Sequence, residues 1–205
     1  MILIGLLGLS AEIIAGMGQA APNERATCQT PYGEVDWGYH FWTNFFLQAT
    51  YVKGAWFGIE PYVRFGYMNH PAWSNTLYYN GYYIGTTELN ESVTSYEMGF
   101  SRPVDVSPPL HLYWGGAFTG NFCKWERVIY KYPSDLETID QATLGLVAFT
   151  RAEWWWKSRE YMADEASINW IVGFSARFHY MGFRPEVWPC PDWFGVFEAY
   201  VGVRW

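Results

Sequence analysis

The chain has 205 residues, a length that suits one domain. Charged residues make up 16% of it and aromatic residues 21%, with 13 Trp, which is more aromatic material than a soluble domain usually carries. The formal net charge of −7 leaves no basic stripe for phosphates, so we expect no nucleic-acid partner. Mean hydropathy is −0.11, and no apolar run approaches the roughly 18–20 residues that a membrane helix requires.

Residues 1–20 have the main features of a secretory signal peptide. A short apolar core at residues 2–9 is followed by Gly18-Gln19-Ala20, which places small residues at the two positions that a signal peptidase reads. Two features fit poorly, because no Lys or Arg precedes the apolar core and Glu12 lies just behind it. An N-terminal helix or a buried strand is the alternative. We predict a signal peptide over residues 1–20, a periplasmic tail over 21–34 and the folded domain over 35–205.

From residue 35 onward, apolar and polar residues alternate with a period of two. Phe45 and Leu47 fall on one face of the first segment, and Asn44 and Gln48 fall on the other. A strand separates such residues onto two faces, whereas a helix would mix them. The pattern predicts further strands over residues 57–67, 96–101, 110–122, 141–154, 167–180 and 193–205.

Residues 69–92 allow two interpretations. Asn80-Gly81 lies between tyrosine pairs and is a hairpin signal, because these two residues tolerate the positive φ of a type I′ turn. Residues 75–84 could form a third transmembrane strand or a hairpin inside one long loop. Counting them as a strand gives eight strands.

The size of the side chains decides which face of these strands points outward. The apolar face carries Trp, Phe, Leu, Ile and Val at nearly every position, and an eight-stranded barrel is only just wide enough to hold ordinary side chains. The other face is rich in Gly, Ala, Ser and Thr and is too sparsely charged for a normal water-exposed surface. We therefore predict an all-β protein, an eight-stranded, antiparallel, up-and-down transmembrane β-barrel, and we expect it to be monomeric.

The C-terminus resembles the terminal β-signal of outer-membrane proteins. The chain stops on an aromatic residue, and apolar residues precede it at alternating positions. This resemblance implies insertion by the barrel-assembly machinery into a Gram-negative outer membrane, in contact with its lipid and lipopolysaccharide. Residues 35–205 resemble the small OmpA-, OmpX- and OmpW-type barrels in architecture, without a signature of one member. The residues of this insertion signal are Phe197, Ala199, Val201, Val203 and Trp205.

Two groups of side chains are predicted to occupy the lumen. One is a network of charges that can pair across the barrel near the periplasmic end, as buried charges must. The other is an apolar upper lumen, which could close on itself or admit a small hydrophobic molecule. The polar group comprises Asp36, His40, Arg64, Arg151, Glu153, Glu198 and Arg204; the apolar group comprises Trp42, Phe46, Trp56, Phe194 and Val196.

The sequence also bears on three further kinds of site: a disulfide, a cofactor or metal site, and a lipid A-modifying site. Cys123 and Cys190 both fall in predicted outer loops, so a disulfide between them is plausible, and Cys28 would be left over. We expect no cofactor, because the acidic loop residues lack metal-site spacing. Some small barrels modify lipid A with a His-x-Ser-Asn site, but the nearest match, His70 to Ser74-Asn75, has the wrong spacing.

The favoured function is therefore a structural or interaction role for a barrel plugged by side chains, with a narrow path or pocket for small hydrophobic molecules as a variant. A small pore, porin-like and gated by the charged network, is the first alternative. A lipid A-modifying enzyme is the second, although no catalytic residue is assigned.

Overall fold

The structure is a computed structural model that describes residues 11–22, 26–30, 33–38, 41–52, 58–79, 81–104, 109–129, 135–157, 168–183 and 193–205. The described residues form β-strands joined by turns. The strands are β1 (Ala11–Pro22), β2 (Ala26–Thr30), β3 (Gly33–Gly38), β4 (Trp42–Tyr51), β5 (Glu60–Tyr79), β6 (Tyr82–Val104), β7 (Leu110–Ile129), β8 (Asp135–Lys157), β9 (Asn169–Phe183) and β10 (Trp193–Arg204).

Eight of these strands close into a barrel. Their order is β1-β10-β9-β8-β7-β6-β5-β4, and β1 pairs with β4 to complete the ring. Every neighbouring pair is antiparallel. The predicted eight-stranded, antiparallel, up-and-down barrel is therefore confirmed.

The barrel begins at Ala11, not at residue 35 as predicted from the sequence. Strand β1 pairs with β10 from Glu12↔Arg204 to Pro22↔Phe194 and with β4 from Ala11↔Tyr51 to Ala20↔Trp42. This placement differs from the predicted signal peptide, because cleavage after Ala20 would remove most of the strand that closes the ring. The poor fit of Glu12 to a signal peptide has a physical reason, since its side chain is buried inside the barrel.

The predicted third strand over residues 75–84 is instead the tip of a long hairpin. Strands β5 and β6 turn at Gly81, whose φ of +81° suits glycine. Tyr78 pairs with Tyr83 and Tyr79 with Tyr82 directly beside the turn. The count of eight is retained because β1 takes the place of this segment.

Residues 33–38 also lie outside the barrel sheet. They form β3, which pairs with β2 in a separate two-stranded sheet between β1 and β4. The predicted first barrel strand over residues 35–51 therefore starts only at Trp42, the first residue of β4.

Strands β5 to β8 extend beyond the other four at the end of the barrel opposite the chain termini. The pairing of β4 with β5 ends at Thr43↔Asn69, whereas β5 continues to Tyr79. Pairing of β7 with β8 likewise continues to Ile129↔Asp135. We call this part, residues 70–79, 82–91, 125–129 and 135–139, the distal sheet. The opposite end, where Ala11 meets Trp205, is the terminal end.

The outer wall of the barrel is apolar, as the size argument predicted. Large hydrophobic side chains such as Phe118, Phe174 and Phe197 are mostly exposed, while their neighbours along each strand are buried. Phe65, Tyr96 and Phe122 pack edge to face across three strands on this wall. An apolar exterior of this extent suits contact with lipid. The described residues contain no helix that is long and apolar enough to span a membrane.

Candidate functional site in the barrel interior

A network of ion pairs crosses the middle of the lumen. We call it the central network, and its charged members are Arg64, Glu97, Arg177 and Glu198, all of them buried. Arg64 on β5 donates a hydrogen bond to Glu198 on β10, and its Nε lies 3.4 Å from Glu97 Oε1. Arg177 on β9 donates to Glu97 on β6. Two arginines and two glutamates therefore balance each other and connect four strands.

Neutral groups complete the hydrogen bonds of the central network. Glu198 accepts from Asn44 Nδ2 at 2.5 Å and from Ser175 Oγ at 2.6 Å. Arg177 also donates to Tyr62 Oη at 3.0 Å. Carboxylates removed from water need such donors, because an unpaired buried charge is strongly destabilising.

A second network, the terminal network, lies nearer the chain termini. It contains Glu12, Glu60, Arg151, Glu153 and Arg204, so three carboxylates face two guanidinium groups. Arg151 Nη1 donates to Glu12 Oε1 at 2.7 Å and lies 3.3 Å from Glu153 Oε1. Arg204 donates to Glu60 at 2.5 Å and to Glu12 at 3.3 Å. This network holds β1 against β5, β8 and β10.

Neutral donors also hydrogen-bond to one carboxylate of the terminal network. Glu153 accepts from Trp155 Nε1 at 2.8 Å and from Tyr200 Oη at 3.2 Å. Arg204 additionally donates to Tyr113 Oη at 3.0 Å. Within the part of the chain that the structure describes, Arg151 Nε and Nη2 have no hydrogen-bond acceptor.

Each of the four lumen arginines also lies over an aromatic ring. Their guanidinium carbons are 3.7–4.8 Å from the ring centroids, well within the range of cation–π attraction. The pairs are Arg64 with Phe46, Arg151 with Tyr113, Arg177 with Phe149, and Arg204 with Trp155.

An apolar group, which we call the distal cluster, fills the lumen on the far side of the central network. Trp42 and Phe194 pack edge to face with ring centroids 5.7 Å apart. His179 stacks on Phe194 at 4.6 Å, which joins the cluster to the central network beneath it. The members of the distal cluster are Ala20, Trp42, Met68, Val93, Cys123, Met181, Phe194 and Val196.

A carboxylate held by two indoles lies at the edge of the distal cluster. Glu91 accepts from Trp42 Nε1 at 2.8 Å and from Trp125 Nε1 at 2.9 Å, and all three side chains are buried. Strands β4, β6 and β7 are thereby joined where the distal sheet leaves the barrel.

The structure divides the predicted polar group between two sites. It places Arg64 and Glu198 in the central network and Arg151, Glu153 and Arg204 in the terminal one. Asp36 belongs to β3 and so lies outside the barrel sheet, contrary to the prediction that it faces the lumen. His40 lies outside the described residues.

The predicted apolar group is also divided. Trp42, Phe194 and Val196 belong to the distal cluster. Phe46 lies nearer the terminal end, where it packs with Ile14, Ile171 and Tyr200. Its separation from the other three follows from its place on β4, four positions after Trp42. Trp56 lies outside the described residues.

The remaining sequence-predicted residues lie on the wall or at its ends. Phe197, Ala199 and Val201 face outward and are exposed, while Val203 and Trp205 are half-buried at the terminal end. Trp205 and Ala11 exchange two backbone hydrogen bonds of 3.0 Å. Cys123 is disulfide-bonded. Its pairing with Cys190 stays a prediction, because Cys190 lies outside the described residues.

Sequence reasoning missed several lumen charges. Glu60, Glu97, Arg177 and His179 all sit on the small-residue face of an alternating strand, and this position was the signal that could have identified them. Glu12 could not be found in this way, since its segment had been interpreted as a signal peptide.

Of the predicted motif His70, Ser74 and Asn75, only the His70 side chain is described. It is buried in β5. His111 stacks on Trp155 at 3.7 Å, and Ser101 Oγ donates to the Glu60 carbonyl at 3.5 Å. Across the described ranges, no group of three or more His, Cys, Asp or Glu side chains is arranged to hold a metal ion.

Comparison with known proteins shows likeness at the level of the fold. No protein-family model matches the sequence, and no curated protein matches it either. Among solved structures, the chain is similar to Neisserial surface protein A, with 14% identity, 97% of each chain covered and a TM-score of 0.50. It is also similar to Ail, the attachment invasion locus protein of Yersinia pestis, in complex with the heparin analogue sucrose octasulfate; identity is 11%, coverage 96% of this chain and 99% of Ail, and the TM-score 0.52. In strand number, closure and apolar outer wall, the chain therefore has the fold of a small outer-membrane β-barrel.

Proposed function

We propose that this protein is a bacterial outer-membrane barrel whose interior is closed to solutes and whose role is structural or interactive. In this proposal the barrel anchors and displays the distal sheet. The observation that carries the proposal is the central network, because its ion pairs run across the lumen from wall to wall. A water-filled channel would have to separate Arg64 from Glu198 or Arg177 from Glu97.

Two further features support a closed interior. The distal cluster fills the lumen with interlocking apolar side chains directly beside the central network. The arginines are stacked on aromatic rings, so little width is left in a barrel of eight strands. A path for small hydrophobic molecules would need the packed pair Trp42 and Phe194 to separate.

The proposed orientation places both termini in the periplasm and the distal sheet outside the cell. Small barrels of the outer membrane have short periplasmic turns and longer outer loops. The strand extensions all lie at the end opposite the termini, which agrees with that arrangement. The distal sheet is then the part of the molecule that can meet partners in the surroundings.

The proposed partners during biogenesis and residence follow from the outer wall. Phe197, Ala199 and Val201 form an exposed apolar row on the last strand, next to the chain end, and such a row is available for the barrel-assembly machinery. The rest of the apolar wall would contact outer-membrane lipid and lipopolysaccharide.

Single-channel recording in planar bilayers tests the closed interior. We expect the wild-type protein to give no steady conductance. Phe194→Ala removes a ring from the distal cluster and should therefore allow openings. These openings should be brief, because the central network still crosses the lumen. Phe197→Ala is the matched control, since this residue lies on the same strand and faces outward. Steady ohmic conductance of the wild-type protein would overturn the proposal in favour of a pore.

A further inference from the structure

The tip of the β5–β6 hairpin carries an uncharged aromatic surface. Over residues 71–87 the sequence contains five aromatic residues, three Thr, one Ser and two Asn, but no Asp, Glu, Lys, Arg or His. Tyr78, Tyr82 and Tyr83 are 65%, 77% and 51% exposed. Large apolar surface in water generally marks a contact site, and here it lies at the point of the distal sheet farthest from the barrel.

Four of these side chains form one face, which we call the tyrosine platform. Thr76 pairs with Thr86 and Tyr78 pairs with Tyr83, and cross-strand partners project from the same side of a hairpin. The rings of Tyr78 and Tyr83 meet edge to face with centroids 6.3 Å apart. The hydroxyl groups of Tyr83 and Thr86 are hydrogen-bonded at 3.1 Å. Tyr82 directly precedes Tyr83 in β6 and projects from the opposite face.

The platform stands clear of the membrane in the proposed orientation. Tyr96 belongs to the aromatic group on the outer wall, and Thr86 lies ten positions before it on β6. At about 3.3 Å per residue this is roughly 33 Å along the strand. The strand between them passes through polar positions such as Asn90, which donates to Glu126 at 3.3 Å. The platform is therefore placed to meet a ligand carried by another surface.

Resting on the proposed orientation of the barrel, we propose that the tyrosine platform binds an uncharged oligosaccharide. A pyranose ring has an apolar C–H face that packs on an aromatic ring and an edge of hydroxyl groups that hydrogen-bond to Tyr and Thr. Tyrosine supplies both contacts at low entropic cost. The absence of charged groups across residues 71–87 favours a neutral ligand over a sulfated or sialylated one, which would need cations.

The size of the platform favours a sugar over a protein partner. Two rings and two threonines cover one or two sugar units, whereas a specific protein interface buries about 1,600 Å². A small, exposed site of this kind implies weak binding, with a Kd on the order of 1 mM, that gains strength when many copies act together.

A glycan array probed with the full-length protein in lipopolysaccharide-free nanodiscs tests the proposal, followed by titration of the best neutral oligosaccharide. We expect uncharged glycans to bind. The Tyr78→Ala/Tyr83→Ala variant should bind at least tenfold more weakly, and Tyr78→Phe/Tyr83→Phe should lose only part of the affinity. Tyr82→Ala is the matched control and should bind within twofold of wild type, and heat-dependent gel migration checks that all variants stay folded.

Three results would overturn the inference. They are no binding of any uncharged glycan at millimolar concentration, binding confined to sulfated or sialylated glycans, and equal binding by wild type and the Tyr78→Ala/Tyr83→Ala variant. Capture of a protein ligand without glycan would count against it in the same way. None of these results bears on conductance, so the closed interior can hold even where the glycan site fails.

Discussion

The central and terminal networks both neutralise charges buried in the lumen, but they contain different numbers of carboxylates and arginines. The central network pairs two arginines with two glutamates, and one carboxylate, Glu97, serves both Arg64 and Arg177. In the terminal network three glutamates surround two arginines, so each arginine keeps a carboxylate when one is lost. The stability lost on removing one buried carboxylate should therefore depend on whether its arginine has a second carboxylate partner.

The largest effect is expected from removing the strand that carries Glu12. A chain that begins at residue 21 lacks most of β1, so β4 and β10 have no common neighbour and the terminal network loses its bridge. We expect such a chain to fail to form a closed barrel, as measured by loss of the heat-dependent shift in gel migration. A closed barrel formed by residues 21–205 would instead support the predicted signal peptide.

An intermediate effect is expected from neutralising single carboxylates, and it sharpens the comparison. Glu97→Gln removes the negative charge that pairs with the buried Arg177, so we expect a loss of about 3–5 kcal/mol in unfolding free energy. Glu12→Gln should cost less, about 1–3 kcal/mol, because Arg151 retains Glu153 and Arg204 retains Glu60. Urea unfolding followed by tryptophan fluorescence measures both.

The test is whether Glu97→Gln lowers the unfolding free energy more than Glu12→Gln does. Equal losses would show that partner redundancy does not matter in this lumen. The Glu97→Gln/Arg177→Met variant provides the control, since removing both partners should recover part of the stability that the single change loses.

The smallest effect is expected at an ion pair outside the barrel. Lys124 Nζ lies 2.6 Å from Glu126 Oε1 on the exposed side of β7. Their hydrogen bond lowers the pKa of Glu126 and raises that of Lys124. Any stabilisation by the pair is therefore present above the ordinary pKa of Glu and is lost as pH falls through the lowered pKa of Glu126. At alkaline pH it is lost as pH rises through the raised pKa of Lys124. Because both groups face solvent, this contribution is close to zero, and the urea midpoint of Lys124→Ala should stay within measurement error of wild type at any pH.

Much of the fold could be predicted from alternation and side-chain volume. The faces assigned to Phe45 and Phe46 agree with their exposure, because an eight-stranded lumen is too narrow to hold a face made of bulky side chains. Strand β1 was missed for a local reason. The apolar residues before it and its small residues Gly16 and Gly18 resemble an export signal. Both glycines lie where a side chain has no room: a Cβ on Gly16 would lie 2.7 Å from the Phe46 ring, and one on Gly18 would lie 2.8 Å from the Glu198 Cα.

The pairing inside the lumen could not be predicted in the same way. Alternation tells that Arg64 and Glu198 face inward, but 134 residues separate them in the chain, and their contact depends on barrel closure and shear. The position of Asp36 failed for a related reason, because alternation also occurs in the separate β2–β3 hairpin. A period of two identifies a strand without identifying its sheet.

The meeting of Ala11 with Trp205 has a consequence for how the molecule forms. The seam between β1 and β10 joins the first and last strands of the barrel, so it can be made only after synthesis has passed β10. Until then both strands present unpaired backbone edges, which invite association with other chains. Contacts of such long sequence separation also form slowly. The topology therefore makes the pairing of β1 with β10 the last step of assembly. A catalyst that covers the two unpaired strand edges would act at this step.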